Sequence, residues 1–352
     1  MSATRSSFPS RKLGPDGPTV SAIGFGAGGF GDFYGTADKK EAPQVLTYAA
    51  NHGISFWDTS DFYRDSEKII GEWFANTGRR EEIFLATKFG ANDLRKGIQT
   101  HAQRSPCSDP DYIVKCIEKS LKDLQTDYID LYYQHRVDPS IPIEIVMETL
   151  RPFIDRGTIR WLGLSECSAT TLRRAKAIPG IGEKLVAVQL EYSPFERTIE
   201  TNGLFSTAKE LGVAVVAYSP LGRGLITGRF RSAADFGEND LRRSIPRFSA
   251  ENFPKNLALA DAFKTLGEKY DATPAQTALA WLLAQDPHLV PIPGATALTR
   301  VEENSNAAFI SLMEQDVKDI RNFVEEADIQ GTRTLWLPDG NCIELAEWKA
   351  RN

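Results

Sequence analysis

Four side chains that can hold or move a proton stand at or just after the ends of short apolar runs in the sequence. Asp58, Lys88 and His135 each close or follow such a run, and Tyr63 comes five residues after Asp58. Any one of them alone is more often a cap, a solvated loop end or a packed side chain than a catalytic group. Together they are unlike a hydrophobic core, and groups of these types carry out proton transfer in active sites. The set therefore predicts a catalytic site.

The elements that must position these residues alternate along the chain. Short β-branched or aromatic runs predict strands, and these are Val20–Phe25, Ile54–Asp58, Ile83–Lys88, Tyr128–Gln134, Ile159–Gly163, Leu185–Leu190, Val213–Tyr218 and Leu289–Ile292. Amphipathic stretches between them predict helices over Ala42–Asn51, Ser66–Asn76, Asp111–Leu124, Ile143–Asp155, Thr171–Ala177, Asn202–Leu211, Leu257–Tyr270, Pro274–Gln285 and Val301–Ala308. Eight strand-then-helix units without a break in composition favour an α/β fold, a (β/α)8 TIM barrel, over a doubly wound open sheet.

Segments outside the eight units predict the remaining features of a barrel. Lys12–Val20, with the turn residues Gly14-Pro15-Asp16-Gly17 at its centre, predicts an N-terminal β-hairpin ahead of the first barrel strand. Gly90–Ser108 and Leu221–Phe253 are long insertions after strands. In a barrel such loops surround the C-terminal mouth, where catalytic residues gather.

The organisation that follows is a single domain. We expect one barrel over residues 1–352, with its core at about residues 20–325 and a C-terminal tail over residues 329–352 that lies across the mouth. The length of the chain agrees with this, because α/β barrels of 200 to 400 residues fold as one domain.

Composition narrows the class of protein. The chain has 352 residues, of which 41% are hydrophobic and 25% charged, which is the balance of a globular protein. Four scattered cysteines do not form a disulfide framework or a zinc site, so we expect reduced thiols, a cytoplasmic location and no metal. A net charge of −6 disfavours a nucleic-acid partner, and no apolar stretch approaches the length of a membrane span.

The segments that carry the candidate catalytic residues resemble those of the aldo-keto reductases. Phe56–Tyr63, which reads FWDTSDFY, resembles the family signature D-T-A-x-x-Y, and Ala86–Gly90 resembles its lysine strand. Asp127–Asp138, which reads DYIDLYYQHRVD, resembles its histidine strand. Further segments follow in the family's order: Gly163-Leu164-Ser165, Val188–Pro194, Tyr218–Gly224, and Ile292-Pro293-Gly294 through Arg300 to Glu303-Asn304. The resemblance covers about residues 11–323 and is nearest to the aldehyde-reductase and aryl-alcohol-dehydrogenase branch.

This resemblance implies transfer of a hydride from NADPH to the carbonyl of an aldehyde or ketone, reversible to alcohol oxidation. Tyr63 is then the general acid for the alkoxide that forms. We expect the cation of Lys88 to lower the pKa of Tyr63, Asp58 to hold Lys88 charged and aimed, and His135 to orient the carbonyl.

The resemblance also implies the residues that bind the cofactor. Ser165 and Gln189 are expected to hold the nicotinamide carboxamide, and Tyr218 to stack on the ring. The pyrophosphate and adenosine ends are expected to contact Ser219, Leu221, Gly222, Arg223, Gly294, Thr296, Arg300, Glu303 and Asn304. The guanidinium fork of Arg300 suits a 2′-phosphate, which favours NADP over NAD.

Two positions depart from the family pattern. Glu166 stands where relatives place Asn directly after the serine, and a carboxylate cannot donate to a carboxamide, so Glu166 is a doubtful cofactor ligand. Gly294 stands where many relatives have lysine, which puts more weight on Arg300 for selecting NADP.

The run Gly24–Gly29 satisfies G-x-G-x-x-G, the pattern of a dinucleotide-binding loop. That loop must open a helix, whereas residues 30–35 have a loop-like sequence, so we assign the glycines to close packing at the barrel mouth. Five aromatic residues are candidates for a substrate-binding wall, with simple anchoring of loops as the equal alternative: Phe30, Phe33, Tyr34, Phe89 and Trp336.

Other functions remain open at this point. An NADP-binding regulatory barrel, of the kind that accompanies membrane channels, would show little turnover, and a specialised secondary-metabolite carbonyl reductase would act on a narrow substrate. A glycosidase could use Asp58, Glu166 and Glu191, but it would leave the lysine and tyrosine without a role. The expected partner is a small carbonyl substrate, and the protein is expected to be a monomer or a weak homo-oligomer.

Overall fold

The computed structural model describes residues 7–34, 39–96, 105–334 and 338–351. Its strands are β1 (Ser10–Lys12), β2 (Thr19–Ser21), β3 (Phe25–Gly26), β4 (Phe56–Asp58), β5 (Phe84–Phe89), β6 (Ile129–Gln134), β7 (Ile159–Ser165), β8 (Leu185–Glu191), β9 (Ala214–Tyr218) and β10 (Leu289–Pro291). Its helices are α1 (Ala42–Asn51), α2 (Ser66–Thr77), α3 (Pro110–Asp123), α4 (Ile143–Asp155), α5 (Ala169–Lys176), α6 (Thr198–Thr201), α7 (Leu204–Glu210), α8 (Phe253–Glu268), α9 (Pro274–Leu283), α10 (Leu298–Asn306), α11 (Glu314–Glu326) and α12 (Leu345–Arg351).

Strands β3 to β10 form one parallel sheet in chain order, and the sheet closes on itself. The backbone N–H of Gly24 donates to Pro291 O at 2.9 Å, and that of Gly26 donates to Pro293 O at 3.2 Å. These bonds join the two edge strands, and helices follow the strands around the sheet. The predicted (β/α)8 barrel is confirmed.

Glycine is required where the barrel closes. A Cβ at Gly24 would lie 2.8 Å from Cγ2 of Ile292, and a Cβ at Gly26 would lie 2.8 Å from the carbonyl oxygen of Ile292. The chain then enters a short 3₁₀ segment, Ala27–Gly31, instead of the long helix that a dinucleotide loop needs. Close packing therefore explains the first glycines of the G-x-G-x-x-G run.

The predicted N-terminal hairpin is present, but the single strand Val20–Phe25 is wrong. Residues 19–21 pair with β1 in the hairpin, and only Phe25 and Gly26 belong to the barrel. Ser21 causes the break, because its hydroxyl donates to Ile23 O and accepts from Phe56 N, so the backbone turns between the two strands. An apolar run cannot show that its two halves pair with different partners.

The hairpin covers the N-terminal end of the barrel. Leu13 at its turn is fully buried among the inward side chains of the barrel strands. The guanidinium of Arg11 donates to the carbonyls of Leu283, Asp286 and Leu289, just before and within β10. This end of the barrel is therefore packed shut, which leaves the opposite end for chemistry.

Helices α3, α5 and α9 each begin at a side chain that caps the first turn. Asp109 accepts from the backbone N–H of Tyr112 and Pro110 occupies the first turn of α3, one residue before the predicted start at Asp111. The predicted helix Asn202–Leu211 begins later, at Leu204, because Gly203 adopts a left-handed conformation with φ +81°. Among the described residues no helix is both long enough and apolar enough to cross a membrane.

The C-terminal tail crosses part of the mouth and then leaves it. Gly331 contacts the backbone of Arg247 in the long loop after β9, and Arg333 enters the mouth. Farther along, Gly340 O accepts from the backbone N–H of Ser168, and α12 packs near α4. Of the described residues of the tail, those around Arg333 contribute to the mouth, and those from Gly340 onward pack on the outside of the barrel.

Candidate active site

A cavity of about 420 Å³ opens at the C-terminal ends of the barrel strands. Asp58, Tyr63 and His135 line it, and Lys88 lies directly beneath them with no exposed surface. The structure therefore brings together the four residues that the sequence singled out, in the part of a barrel where catalytic groups gather.

Asp58 and Lys88 form a buried ion pair at the base of the cavity. Lys88 Nζ is 2.5 Å from Asp58 Oδ1 and donates to Thr59 O at 2.7 Å. The other carboxylate oxygen of Asp58 accepts from Gln189 Nε2 at 2.8 Å. Burial raises the pKa of Asp58, and the charge of Lys88 acts against that rise. These contacts fix the direction in which the ammonium group points.

Tyr63 lies above this pair. Lys88 Nζ is 5.1 Å from the centre of the Tyr63 ring, and the ring of His135 meets it edge-on at 5.6 Å. Burial raises the pKa of the Tyr63 phenol, and the attraction of Lys88 opposes this without overcoming it. The expectation of a lowered pKa is therefore wrong, because desolvation of the phenolate outweighs the nearby cation.

His135 is held by a residue that the sequence analysis did not single out. Ser60 Oγ lies 2.9 Å from His135 Nδ1, and both side chains are buried. The signal was present, since Ser60 stands within the signature where the family pattern has alanine, but nothing in the sequence showed that it reaches the histidine.

The residues expected to bind a cofactor are spread along one wall of the cavity. Ten of the twelve line it: Gln189, Tyr218, Ser219, Leu221, Arg223, Gly294, Thr296, Arg300, Glu303 and Asn304. Ser165 and Gly222 are buried behind the surface, where the Ser165 hydroxyl accepts from Arg136 at 3.3 Å and Gly222 lies against Phe195.

The loop after β9 bends sharply at the edge of this wall. Ser219, Gly222, Arg223 and Gly224 all adopt positive φ angles, between +48° and +89°. The loop places Arg223 toward the barrel, where it donates to Glu191 at 3.0 Å. Within the turn, the backbone N–H of Gly222 donates to Ser219 O at 2.9 Å and that of Gly224 donates to Leu221 O at 3.0 Å, so these bonds fix its shape.

Charge in the lining is strongly unbalanced. Among the described lining residues there are two carboxylates, Asp58 and Glu303, against five arginines: Arg136, Arg223, Arg229, Arg242 and Arg300. Arg300 is 40% exposed and donates to Glu303 at 2.8 Å. Arg223 and Arg242 are paired with Glu191 and Asp240, which do not line the cavity, so the excess of positive charge comes from Arg136 and Arg229 and suits an anionic ligand.

Glu166 is engaged by an arginine from the tail. Arg333 donates to both of its carboxylate oxygens, at 3.0 and 2.8 Å, and the Tyr218 hydroxyl donates to it at 2.8 Å. Burial acts to raise the pKa of Glu166, but the hydrogen bonds and charge of Arg333 prevail and lower it to about 2. The same guanidinium lies 3.1 Å from Glu191. Glu166 therefore anchors the tail and Tyr218, and no spacing in the sequence connects it with Arg333.

The proposed aromatic wall is smaller than expected. Phe33 and Tyr34 line the cavity, whereas Phe30 is buried against Phe25 and Phe89 is stacked on Tyr132. Phe30 and Phe89 are therefore core residues in this structure, because their side chains point away from the mouth. Trp336 lies outside the described residues. Two aromatic residues that the sequence analysis did not name, Phe62 and Phe230, also line the cavity.

Comparison with known proteins gives one family. The sequence model of the aldo/keto reductase family matches residues 22–325. The aldo-keto reductase str7 of Strobilurus tenacellus is 46% identical over 334 residues, which cover 93% of this chain and 95% of that protein. The aldo-keto reductase yakc [NADP(+)] of Schizosaccharomyces pombe is 45% identical over 331 residues, which cover 93% and 94%.

A solved structure gives the same result. The crystal structure of the thermostable aldo-keto reductase Tm1743, in complex with the inhibitor epalrestat, matches with a TM-score of 0.70 at 26% identity. The match covers 90% of this chain and 99% of that one. With the barrel, the order of the motifs and the clustered Asp58, Tyr63, Lys88 and His135 already in place, the chain belongs to the aldo/keto reductase family of oxidoreductases.

Proposed function

We propose that the protein reduces the carbonyl group of an aldehyde or ketone with NADPH, and that Asp58, Tyr63, Lys88 and His135 carry out the proton chemistry. The observation that carries this proposal is the buried Asp58–Lys88 pair beneath the Tyr63 ring, with His135 beside it at the base of an arginine-rich cavity.

The residues present fit a phosphorylated dinucleotide. Five arginines and two carboxylates line the cavity, and guanidinium groups suit the phosphates of such a cofactor. Arg300 would bind the 2′-phosphate, and Tyr218 would stack on the nicotinamide ring. The name of the Schizosaccharomyces pombe relative includes NADP(+), which supports this choice of cofactor.

Bound NADPH would supply the hydride that adds to the carbonyl carbon, which leaves the carbonyl oxygen as an alkoxide. Tyr63 then transfers its phenolic proton to the alkoxide oxygen. Because burial raises the pKa of Tyr63, the phenol carries its proton when the carbonyl arrives. Lys88 stabilises the phenolate that remains, and Asp58 keeps Lys88 aimed at it. His135 directs the carbonyl oxygen toward Tyr63.

The substrate class that fits best is a small, uncharged carbonyl compound with an apolar part. Phe33, Tyr34, Phe62 and Phe230 provide aromatic surface near the mouth. A regulatory barrel with little turnover is the second candidate, but the four assembled catalytic residues give no reason to favour it.

The test is oxidation of NADPH, followed by absorbance, with aromatic aldehydes, aliphatic aldehydes and ketones, and with NADH in parallel. We expect turnover with NADPH on at least one carbonyl compound. Tight binding of NADPH without turnover on any of them would contradict the proposal and favour the regulatory alternative.

Arg300→Ala tests the choice of cofactor in the same assay. We expect the KM for NADPH to rise by at least tenfold and the KM for NADH to change little, since only NADPH has a phosphate for the guanidinium to bind. An equal rise for both cofactors would contradict the placement of Arg300 at the 2′-phosphate.

A further inference from the structure

Ser60 lies between two groups that compete for its single hydroxyl proton. Its Oγ is 2.9 Å from His135 Nδ1 and 3.2 Å from Asp61 Oδ1, and it accepts from the backbone N–H of Phe62 at 3.1 Å. Ser60 has no exposed surface. A hydroxyl has one proton and two acceptor positions, so Ser60 can donate to His135 or to Asp61 but not to both.

The direction in which the Ser60 hydroxyl donates determines which nitrogen of a neutral His135 carries the proton. When Ser60 donates to Nδ1, the imidazole proton must be on Nε2, and the ring has an N–H for a carbonyl oxygen in the cavity. When Ser60 donates to Asp61, its oxygen accepts from Nδ1–H instead, and Nε2 of the neutral ring is only an acceptor. The two arrangements use the same side chains and differ in the direction of the hydrogen bonds.

Asp61 can change the direction of these bonds within the physiological range of pH. Its side chain is buried and faces Glu67 of α2, Cys116, Tyr112 and Lys119 of α3, and Tyr132 of β6. Burial, with Glu67 adding to it, raises the pKa of Asp61 to about 7. On the other side of Ser60, the groups near His135 are the Tyr63 phenol and the neighbouring Arg136.

The hydrogen bonds of Ser60 with His135, Asp61 and the backbone N–H of Phe62 are satisfied in both states, and Lys88 O, 3.5 Å from Ser60 Oγ, lies at the limit of hydrogen-bond distance. Protonated Asp61 can donate to Ser60, which also accepts from Phe62 N–H and donates its own proton to His135 Nδ1. Ionised Asp61 can only accept a hydrogen bond, so the Ser60 hydroxyl donates to it. The Ser60 oxygen then accepts from His135 Nδ1–H.

We propose that Ser60 is a positioning residue that sets the tautomer of His135, and that ionisation of Asp61 reverses this hydrogen-bond chain and removes the N–H that His135 offers to the carbonyl. The inference rests on the proposed function, in which His135 orients the substrate. It concerns a feature of this chain, since Ser60 stands where the D-T-A-x-x-Y pattern has alanine, which has no proton to offer.

The direct test is ¹⁵N NMR of histidine-labelled full-length protein between pH 6 and pH 9, with His135→Gln used to assign the signals. We expect neutral His135 in the wild type to move from the Nε2–H to the Nδ1–H tautomer as Asp61 ionises. In Asp61→Asn we expect the Nε2–H tautomer at every pH, and in Ser60→Ala a tautomer ratio that does not depend on pH. Ser206→Ala, an exposed serine on α7, is the matched control and should behave as the wild type.

Either of two results of this experiment would overturn the inference. If the tautomer of His135 is the same at every pH in the wild type, or still switches in Asp61→Asn, then Asp61 does not control it.

A second readout separates this inference from the proposed function. We expect kcat for carbonyl reduction in the wild type to fall above the titration of Asp61 by about tenfold per pH unit, and Asp61→Asn to lose that fall. If the tautomer switches as expected but no carbonyl compound is reduced at any pH, the proposed function fails while the hydrogen-bond chain stands. If carbonyl compounds are reduced but the tautomer does not switch, only the inference fails.

Discussion

At the scale of single residues, the site depends on how burial affects the charged forms of its ionisable side chains. Lys88 and Asp58 are both buried, and an ion pair of this kind adds little net stability because both charges have lost their hydration. Its value lies in orientation, since Asp58 and Thr59 O together fix the ammonium group below Tyr63. The pair is thus expected to matter far more for activity than for folding.

Replacement of Lys88 by methionine should lower both stability and activity, each for its own reason. Lys88→Met leaves Asp58 buried without its partner, which should lower the free energy of unfolding by about 3–5 kcal/mol. It should also lower kcat/KM by roughly 10²-fold or more, because the phenolate of Tyr63 loses its cation. Urea unfolding and steady-state kinetics measure the two quantities.

The double variant Asp58→Asn with Lys88→Met is the control for that experiment. It removes both buried charges, so we expect much of the stability to return while the activity remains lost. Recovery of activity in the double variant would contradict the role given to Lys88.

At this scale the sequence indicated the four proposed catalytic positions but not their environment. Residues that follow successive strands must meet at one end of a parallel barrel, so the cluster of Asp58, Tyr63, Lys88 and His135 could be predicted. The direction of the shift in the pKa of Tyr63 could not, because desolvation depends on side chains from distant parts of the chain that cover the ring. Ser60 was missed for the same reason.

At the scale of elements, the C-terminal tail is tied to the strands β7 and β8. Arg333 is hydrogen-bonded to Glu166, which follows β7, and to Glu191 at the end of β8. Through Glu166 the contact extends to the hydroxyl of Tyr218, which ends β9. We expect this cluster to hold the tail in place and to fix the ring of Tyr218.

The pH dependence of stability tests the Glu166–Arg333 contact. The pKa of Glu166 is lowered from 4.5 to about 2, so the stabilisation is fully present above pH 4.5 and is lost as the pH falls toward 2. Glu166→Gln should therefore lower the free energy of unfolding by something on the order of 3 kcal/mol at pH 7, and the difference from the wild type should shrink below pH 4.5. Urea unfolding at several pH values measures this.

Glu210→Gln is the matched control, because Glu210 is an exposed glutamate that pairs with Arg173 at the surface. We expect it to change the stability by less than about 1 kcal/mol. Glu166→Gln would contradict the account if it behaved like this control at pH 7.

Boundaries of elements were predicted well where the sequence has a local stop or start signal. Asp109 and Pro110 are such a signal, and α3 begins there, one residue before the predicted Asp111. The division of Val20–Phe25 was not predictable from periodicity, because both halves are apolar and extended and only their pairing partners differ. The contact between Arg333 and Glu166 joins residues 167 positions apart, and no local pattern records it.

At the scale of the whole molecule, one end of the barrel contributes to stability and the other end holds the candidate active site. The hairpin closes the N-terminal end with Leu13, and the mouth at the other end carries the proposed catalytic residues and the cavity. Stability and activity should therefore respond separately to substitutions at the two ends.

Leu13→Ala tests this separation. Leu13 has no exposed surface, so its truncation should lower the free energy of unfolding by about 2–5 kcal/mol, with kcat unchanged in the folded protein. Met313→Ala, at a side chain that is 52% exposed, is the control and should stay within about 0.5 kcal/mol of the wild type. A large loss of kcat in Leu13→Ala would show that the hairpin end is coupled to the active site.

The central claim is that Tyr63 gives its proton to the substrate oxygen, and the most direct test is Tyr63→Phe. The measurement compares kcat for carbonyl reduction with the dissociation constant for NADPH, determined by fluorescence, in wild type and variant. We predict that kcat falls by roughly 10²- to 10⁴-fold while the dissociation constant stays within about twofold, because the hydroxyl acts only on charge that develops in the reaction. A variant that keeps its kcat, or that loses NADPH binding as strongly as it loses turnover, would contradict the account.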